Sequence, residues 1–246
     1  MRSVRRPARP PLRAAAVLVL FLAPLGTALS AQEVAAWFAS SSAAAVYAGI
    51  RVETESLAAS AAARGVPESL FVRRLAEGAE KRIPPERLAS ALRDDEARFT
   101  GVALLLRLRR LLPPEPERSG RLIWQGSLLL RAGATSPDLA AALDAAAATA
   151  GGAFARAERA FDALGLTVSL NARFGLPSAV SGRLAAAIVR SPLERRGFAS
   201  LISVFARGKA SGLSSDLVAD IAIRVLDSGG SFEAIEREMQ RRTRYP

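Results

Sequence analysis

The residue types that most often do chemistry are scarce in this chain. It contains no histidine and no cysteine. That removes imidazole general bases, thiolate nucleophiles, zinc sites of the nitrogen and sulfur kind, lipid attachment through an N-terminal cysteine, and any disulfide framework. Lys81 and Lys209 are the only lysines. Neither has a serine three residues before it, and no G-x-S-x-G elbow occurs, so the usual serine nucleophiles have no sequence support. Gly208-Lys209 is followed by Ala210 and lacks the earlier glycine of a phosphate-binding loop, and G-x-G-x-x-G is absent.

Paired carboxylates are the catalytic option that composition leaves open, because glycoside hydrolysis needs only two acids about 5–10 Å apart across a cleft. The densest acidic cluster is Asp94-Asp95-Glu96, between Arg93 and Arg98. On a helix three consecutive acids point in different directions, and this cluster reads as a solvated face with local ion pairs. Aromatic platforms for a sugar reduce to Trp37 and Trp124, each set in apolar sequence of core or interface character. No catalytic, cofactor-binding or metal-ligating residue is assigned, and no cofactor is expected.

Charge gives the one positive hint of a partner. Arg173, Arg183, Arg190, Arg195, Arg196, Arg207 and Lys209 face a single acid, Glu194, in their segment, which therefore carries +6. Gathered on one surface, these seven would attract anionic lipid or an acidic envelope protein through a salt-sensitive field. Nucleic acid is not expected as a partner, because an exported protein seldom meets it.

The elements that must position these residues are helices. Alanine and leucine dominate, β-branched residues are sparse, and no stretch alternates apolar and polar residues between hairpin turns. The fold class expected is all-α, as stacked αα-hairpins or an irregular helical bundle following an N-terminal signal peptide. Gly65-Val66-Pro67, Ser136-Pro137, Gly175-Leu176-Pro177 and Gly212-Leu213-Ser214 each place helix-stopping or helix-starting residues before an apolar-periodic run.

Two of these joints open similar segments. At an offset of 147 residues, Gly65, Leu70, Ala79, Glu86, Leu88 and Leu92 fall on Gly212, Leu217, Leu226, Glu233, Ile235 and Met239. A looser third copy begins at Gly175, with Leu184 and Ile188 as its stripe and Ser191-Pro192 opening its second helix. Residues 85–112 are the longest uninterrupted helical candidate. The Pro- and Glu-rich stretch 113–120 then reads as a linker or surface loop between an N-terminal helical region, 31–112, and a C-terminal region with hairpin repeats, 121–246.

Residues 1–30 form a unit of their own. Arg2, Arg5, Arg6, Arg9 and Arg13 precede the apolar run Ala14 to Leu25, and Ala28 and Ser30 occupy the −3 and −1 positions of a cleavage site. Cleavage after Ser30 is expected; the alternative is an uncleaved segment anchoring the chain in the inner membrane. Processing leaves 29 basic and 23 acidic side chains. The function expected is that of an exported, non-catalytic helical protein, periplasmic or extracellular, that binds or scaffolds in the bacterial cell envelope. The alternatives are a glycan-acting envelope enzyme using two carboxylates, or a peripheral membrane-binding protein.

Overall fold

A computed structural model describes residues 32–194 and 197–244. The expected signal segment and its cleavage site therefore lie outside the described residues, as do Arg195 and Arg196. The helices are α1 (Gln32–Ser40), α2 (Ala44–Tyr47), α3 (Arg51–Ala62), α4 (Ser69–Glu80), α5 (Pro85–Leu108), α6 (Pro116–Arg131), α7 (Ser136–Ala147), α8 (Ala153–Phe174), α9 (Ser178–Arg190), α10 (Ser200–Ala210), α11 (Ser215–Asp227) and α12 (Phe232–Arg244). Among the described residues there is no strand, and the chain is all-α. No described helix is long and apolar enough to cross a membrane.

Helix ends fall where local chemistry puts them. α7 opens on a capping box in which the Asp138 N–H donates to Thr135 Oγ1 and the Thr135 N–H donates to the Asp138 carboxylate. α3 closes at Gly65, φ +78°, with the Val66 N–H donating to Ala61 O and the Gly65 N–H to Ala62 O. This pair of bonds satisfies the last carbonyls of the helix and needs a left-handed residue at its centre. At the end of α10 the same pair recurs, from Leu213 to Gly208 and from Gly212 to Lys209, 147 residues later. The turn from α4 to α5, with bonds from Ile83 to Gly78 and from Arg82 to Ala79, is likewise matched by bonds from Gly230 to Val225 and from Gly229 to Leu226 between α11 and α12. The left-handed residue is Arg82 in the first turn and Gly229 in the second.

One apolar core runs from Val34 to Met239, with Phe71, Phe99 and Phe205 its largest fully buried side chains. Leu88, Leu92, Phe99, Val102 and Leu106 form the buried side of α5 as their spacing requires. α9 is packed against α7, α8 and α11. Its final carbonyls are gathered by Arg159 of α8, which donates to Val189 O at 2.9 Å, Ile188 O at 3.1 Å and Ser191 O at 2.7 Å. The small residues of α7 allow close approach: the α-carbon of Asp138 lies 3.1 Å from where a Cβ on Gly182 would sit.

One expectation is corrected here. Ser191-Pro192 does not open a helix: Ser191 is the extended residue that ends α9, and the next described α-helix begins at Ser200. The proline ring pushes the residue before it out of the helical region, so the pair stops a helix more readily than it starts one. In the 113–120 stretch, residues from Pro116 onward form the first turns of α6, where Ser119 and Gly120 are already buried. Its proline and Glu117 suit a helix N-terminus as well as they suit a loop.

Candidate functional site: a cationic and aromatic cleft over a buried ion cluster

α4 turns Leu70, Phe71 and Leu75 into the core, and Arg74 falls on the same face. Its guanidinium reaches Asp95 of α5, Nε to Oδ2 at 2.6 Å; Asp95 is only 1% exposed. The other oxygen of Asp95 accepts from Arg98 Nη2 at 3.0 Å. Arg74 also pairs with Glu77, which accepts from Lys81 Nζ at 2.9 Å. Both oxygens of the buried carboxylate are thus engaged, as a desolvated charge requires. Lys81 above all holds the Glu77 carboxyl below its ordinary value; burial opposes it, and Arg74 adds to the lowering.

The cluster supports an aromatic column. Phe71 meets Phe99 edge-on at 5.8 Å, and Phe99 meets Trp124 of α6 at 6.0 Å. Trp124 is 8% exposed and sits between charged neighbours: the guanidinium carbon of Arg73 lies 4.0 Å from its ring centre and that of Arg74 lies 5.9 Å away. A guanidinium on an indole face gains from the ring quadrupole and remains free to bond at its edge.

Above Trp124 a cleft of about 980 Å³ opens between α4, α6 and the start of α8. Arg73, Arg118 and Arg121 line it with Trp124, Phe154 and Gln125, and Glu117 is the one acid on its wall. Arg118 and Arg121 stand 5.7 and 5.6 Å from the Phe154 ring. Arg121 forms an ion pair with Glu158 at 2.8 Å, whereas Arg73 and Arg118 meet no carboxylate among the described residues. Gln125 carries a buried amide oxygen with no hydrogen-bond partner. It also borders a neighbouring apolar groove of about 750 Å³ formed by Leu128, Leu129, Phe161, Leu166 and Ile202. Unpaired guanidiniums, two aromatic faces and a free acceptor suit a ligand that combines carboxylates, apolar groups and an N–H.

The residues singled out from sequence lie elsewhere. Arg183 and Arg190 of α9 face α11, pairing with Asp220 at 3.4 Å and Asp227 at 2.8 Å, and Arg207 of α10 pairs with Glu236 of α12. Three of the seven cations are thus matched in space by acids that follow them in sequence. Arg173 and Lys209 are exposed in the last turns of α8 and α10. Asp95 corrects the expectation for the acidic triplet: it is buried, while Asp94 is exposed and Glu96 half-buried against Arg64. Trp37 packs on Phe38 and Tyr47, away from the cleft. Sequence did carry a signal for the cleft, since Arg118, Arg121 and Trp124 recur every three residues and share one helix face. It lay across the stretch assigned to a linker. Among the described residues, no group of histidine, cysteine, aspartate or glutamate could hold a metal ion. Comparison of the chain with protein-family models, curated proteins and solved structures finds no match.

Proposed function

We propose that this chain is an exported, non-catalytic helical protein that binds or scaffolds a partner in the bacterial cell envelope, and that the Arg73–Arg118–Trp124 cleft receives an acidic, partly apolar segment of that partner. Stacked αα-hairpins supply a rigid frame for such a surface, an inference from fold that carries no ligand identity of its own. The observation that carries this reading is the pair of guanidiniums held over aromatic rings without a carboxylate, in a molecule whose other interhelical arginines are largely paired. The surface around Arg173 and Lys209 supports peripheral lipid binding less well, because three of its arginines are already matched by acids.

A photo-crosslinking amino acid at position 154, in cells that are then fractionated, tests this. The expected result is a discrete adduct in the envelope fraction that disappears when Arg73 and Arg118 are both alanine. Equal crosslinking from the exposed position 52, or retention of the protein in the cytoplasm, would contradict it.

A further inference from the structure

A cavity of about 670 Å³ lies where the start of α1, the joint between α3 and α4, and the turn from α5 to α6 come together. Four charged side chains line it: Glu33 of α1, Glu68 just before α4, and Arg107 and Arg110 at the end of α5. None of the four forms an ion pair among the described residues, although both signs border one space. Elsewhere in this chain opposed charges on neighbouring elements do meet, as Arg64 with Glu96 and Arg109 with Asp144 show. Here they stand apart across a gap, which leaves both signs open to a ligand that bridges them.

Both ends of the gap are built. Glu68 is 5% exposed, and its Oε2 accepts from the N–H groups of Glu33 and Val34 at 3.1 and 3.5 Å. Its other oxygen, Oε1, is buried without a hydrogen-bond partner, and a desolvated carboxylate oxygen lacking a donor is unfavourable. Across the cavity, Arg107 Nη2 donates to Arg64 O at 2.6 Å, which fixes the guanidinium and leaves its other donors to the space. Gly65 makes this possible, since a Cβ there would collide with Nη2. Arg110 ends α5 at φ +55°, in the turn position that Gly65, Gly133 and Gly212 hold at the ends of α3, α6 and α10. A side chain is tolerated there at a cost in backbone strain that glycine avoids. Between the charges the walls are Pro67, Pro113 and Pro114, which are apolar, stiff and without N–H donors.

We propose that this cavity binds a zwitterion, an amino acid or short peptide with an apolar side chain. Its ammonium group lies against Glu68 and Glu33, its carboxylate against Arg107 and Arg110, and its side chain against the prolines. Glu33, exposed at the rim, meets the ammonium first, and Glu68 holds it from below by turning Oε1 toward it. Both contacts are charge-assisted, and a guanidinium fork matches a carboxylate edge. A metal cation would face two guanidiniums, and a simple anion would leave Glu68 without a donor. The volume falls within the roughly 300–1,000 Å³ of small-molecule sites. The site shares no charged residue with the Trp124 cleft and stands independently of it.

The test is isothermal titration calorimetry of the full chain with leucine and with the dipeptide Leu-Leu, which tell a free amino acid from a peptide as the source. N-acetyl-leucine, which lacks the ammonium, and leucine amide, which lacks the carboxylate, are the controls. Saturable binding of leucine or Leu-Leu is expected, weakened about tenfold by blocking either charge. Two variants locate the site. Glu68→Gln, which keeps an oxygen for the Glu33 and Val34 N–H groups, is expected to weaken the zwitterion about tenfold and N-acetyl-leucine little. Arg110→Gly suits the left-handed turn, so it should fold with an unchanged or higher Tm, yet weaken the zwitterion and leave leucine amide unaffected. No saturable heat from either zwitterion at millimolar concentration overturns the proposal. Equal binding of the blocked forms, or wild-type affinity in a folded Arg110→Gly chain, overturns it as well.

Discussion

The α3–α4–α5 unit and the α10–α11–α12 unit close their turns with the same hydrogen bonds, donor for donor and acceptor for acceptor, 147 residues apart. They fill the space between the helices differently. Arg74 in the first stands where the second has Ile221, Asp95 where it has Arg242, and Gly78 where it has Val225. The second unit is closed by Val218, Ile221, Ala222 and Leu226 against Ile235 and Met239, with no buried charge among its described residues. The first buries Arg74 and Asp95 beneath Trp124. An apolar filling closes the same backbone, so the ion cluster is not a requirement of the fold. Its place beneath the cleft points to positioning Trp124 and Arg73 as its role.

Breaking the difference between the units should have the largest effect. Asp95→Ala leaves Arg74 buried without its carboxylate and should lower stability to urea by about 3–5 kcal/mol. Arg74→Met combined with Asp95→Leu, which makes the first unit resemble the second, should recover most of that loss while weakening binding at the cleft. If Asp95→Ala instead unfolds like the wild type, the buried pair is not a structural node.

The shared turns allow a smaller, reciprocal test. Gly229→Ala places a Cβ in open space, so its cost is that of the left-handed backbone alone, about 1–2 kcal/mol. Arg82→Gly at the matching position should stabilise by up to about 1 kcal/mol, reduced by the extra freedom glycine gives the unfolded chain. Equal signs for the two substitutions, measured by thermal unfolding, would show that the turns are not equivalent.

Surface pairs should matter least. Arg190→Ala removes the partner of Asp227 on an exposed helix pair and should change stability by less than about 1 kcal/mol, a difference that vanishes in high salt. The Glu77 link to Lys81 and Arg74 gives the first unit a pH signature of its own. Because its carboxyl is lowered in the folded chain, its contribution is complete above the ordinary glutamate value and is lost as pH falls through the lowered one. Glu77→Gln should therefore flatten the acid limb of the stability curve, and an unchanged limb would remove Glu77 from the account.

Sequence carried the helical joints plainly at Gly65, Gly175 and Gly212, where a left-handed glycine, an apolar residue and a helix starter follow in that order. It carried the matching of the two end units for the same reason. Asp95 was hidden because three adjacent acids look alike until the helix rotation relative to α4 is known. The pairs of Arg183 and Arg190 with Asp220 and Asp227 were hidden because they join residues 37 positions apart on two helices whose contact no local pattern announces. Trp124 was legible as a core residue, and only the assembled helices reveal that one edge of that core opens toward three arginines.

The most direct test uses Trp124 as its own reporter. In a Trp37→Phe background Trp124 is the only tryptophan left. Its fluorescence is followed while acetyl-Asp-Phe-Asp-Phe-amide is added, with the Lys-Phe counterpart as the control. A saturable change with the acidic peptide that weakens at least tenfold in Arg73→Ala/Arg118→Ala, and is absent with the basic peptide, is the predicted result. A response equal for both peptides, or one untouched by loss of the two arginines, would contradict the assignment of this cleft as the binding site.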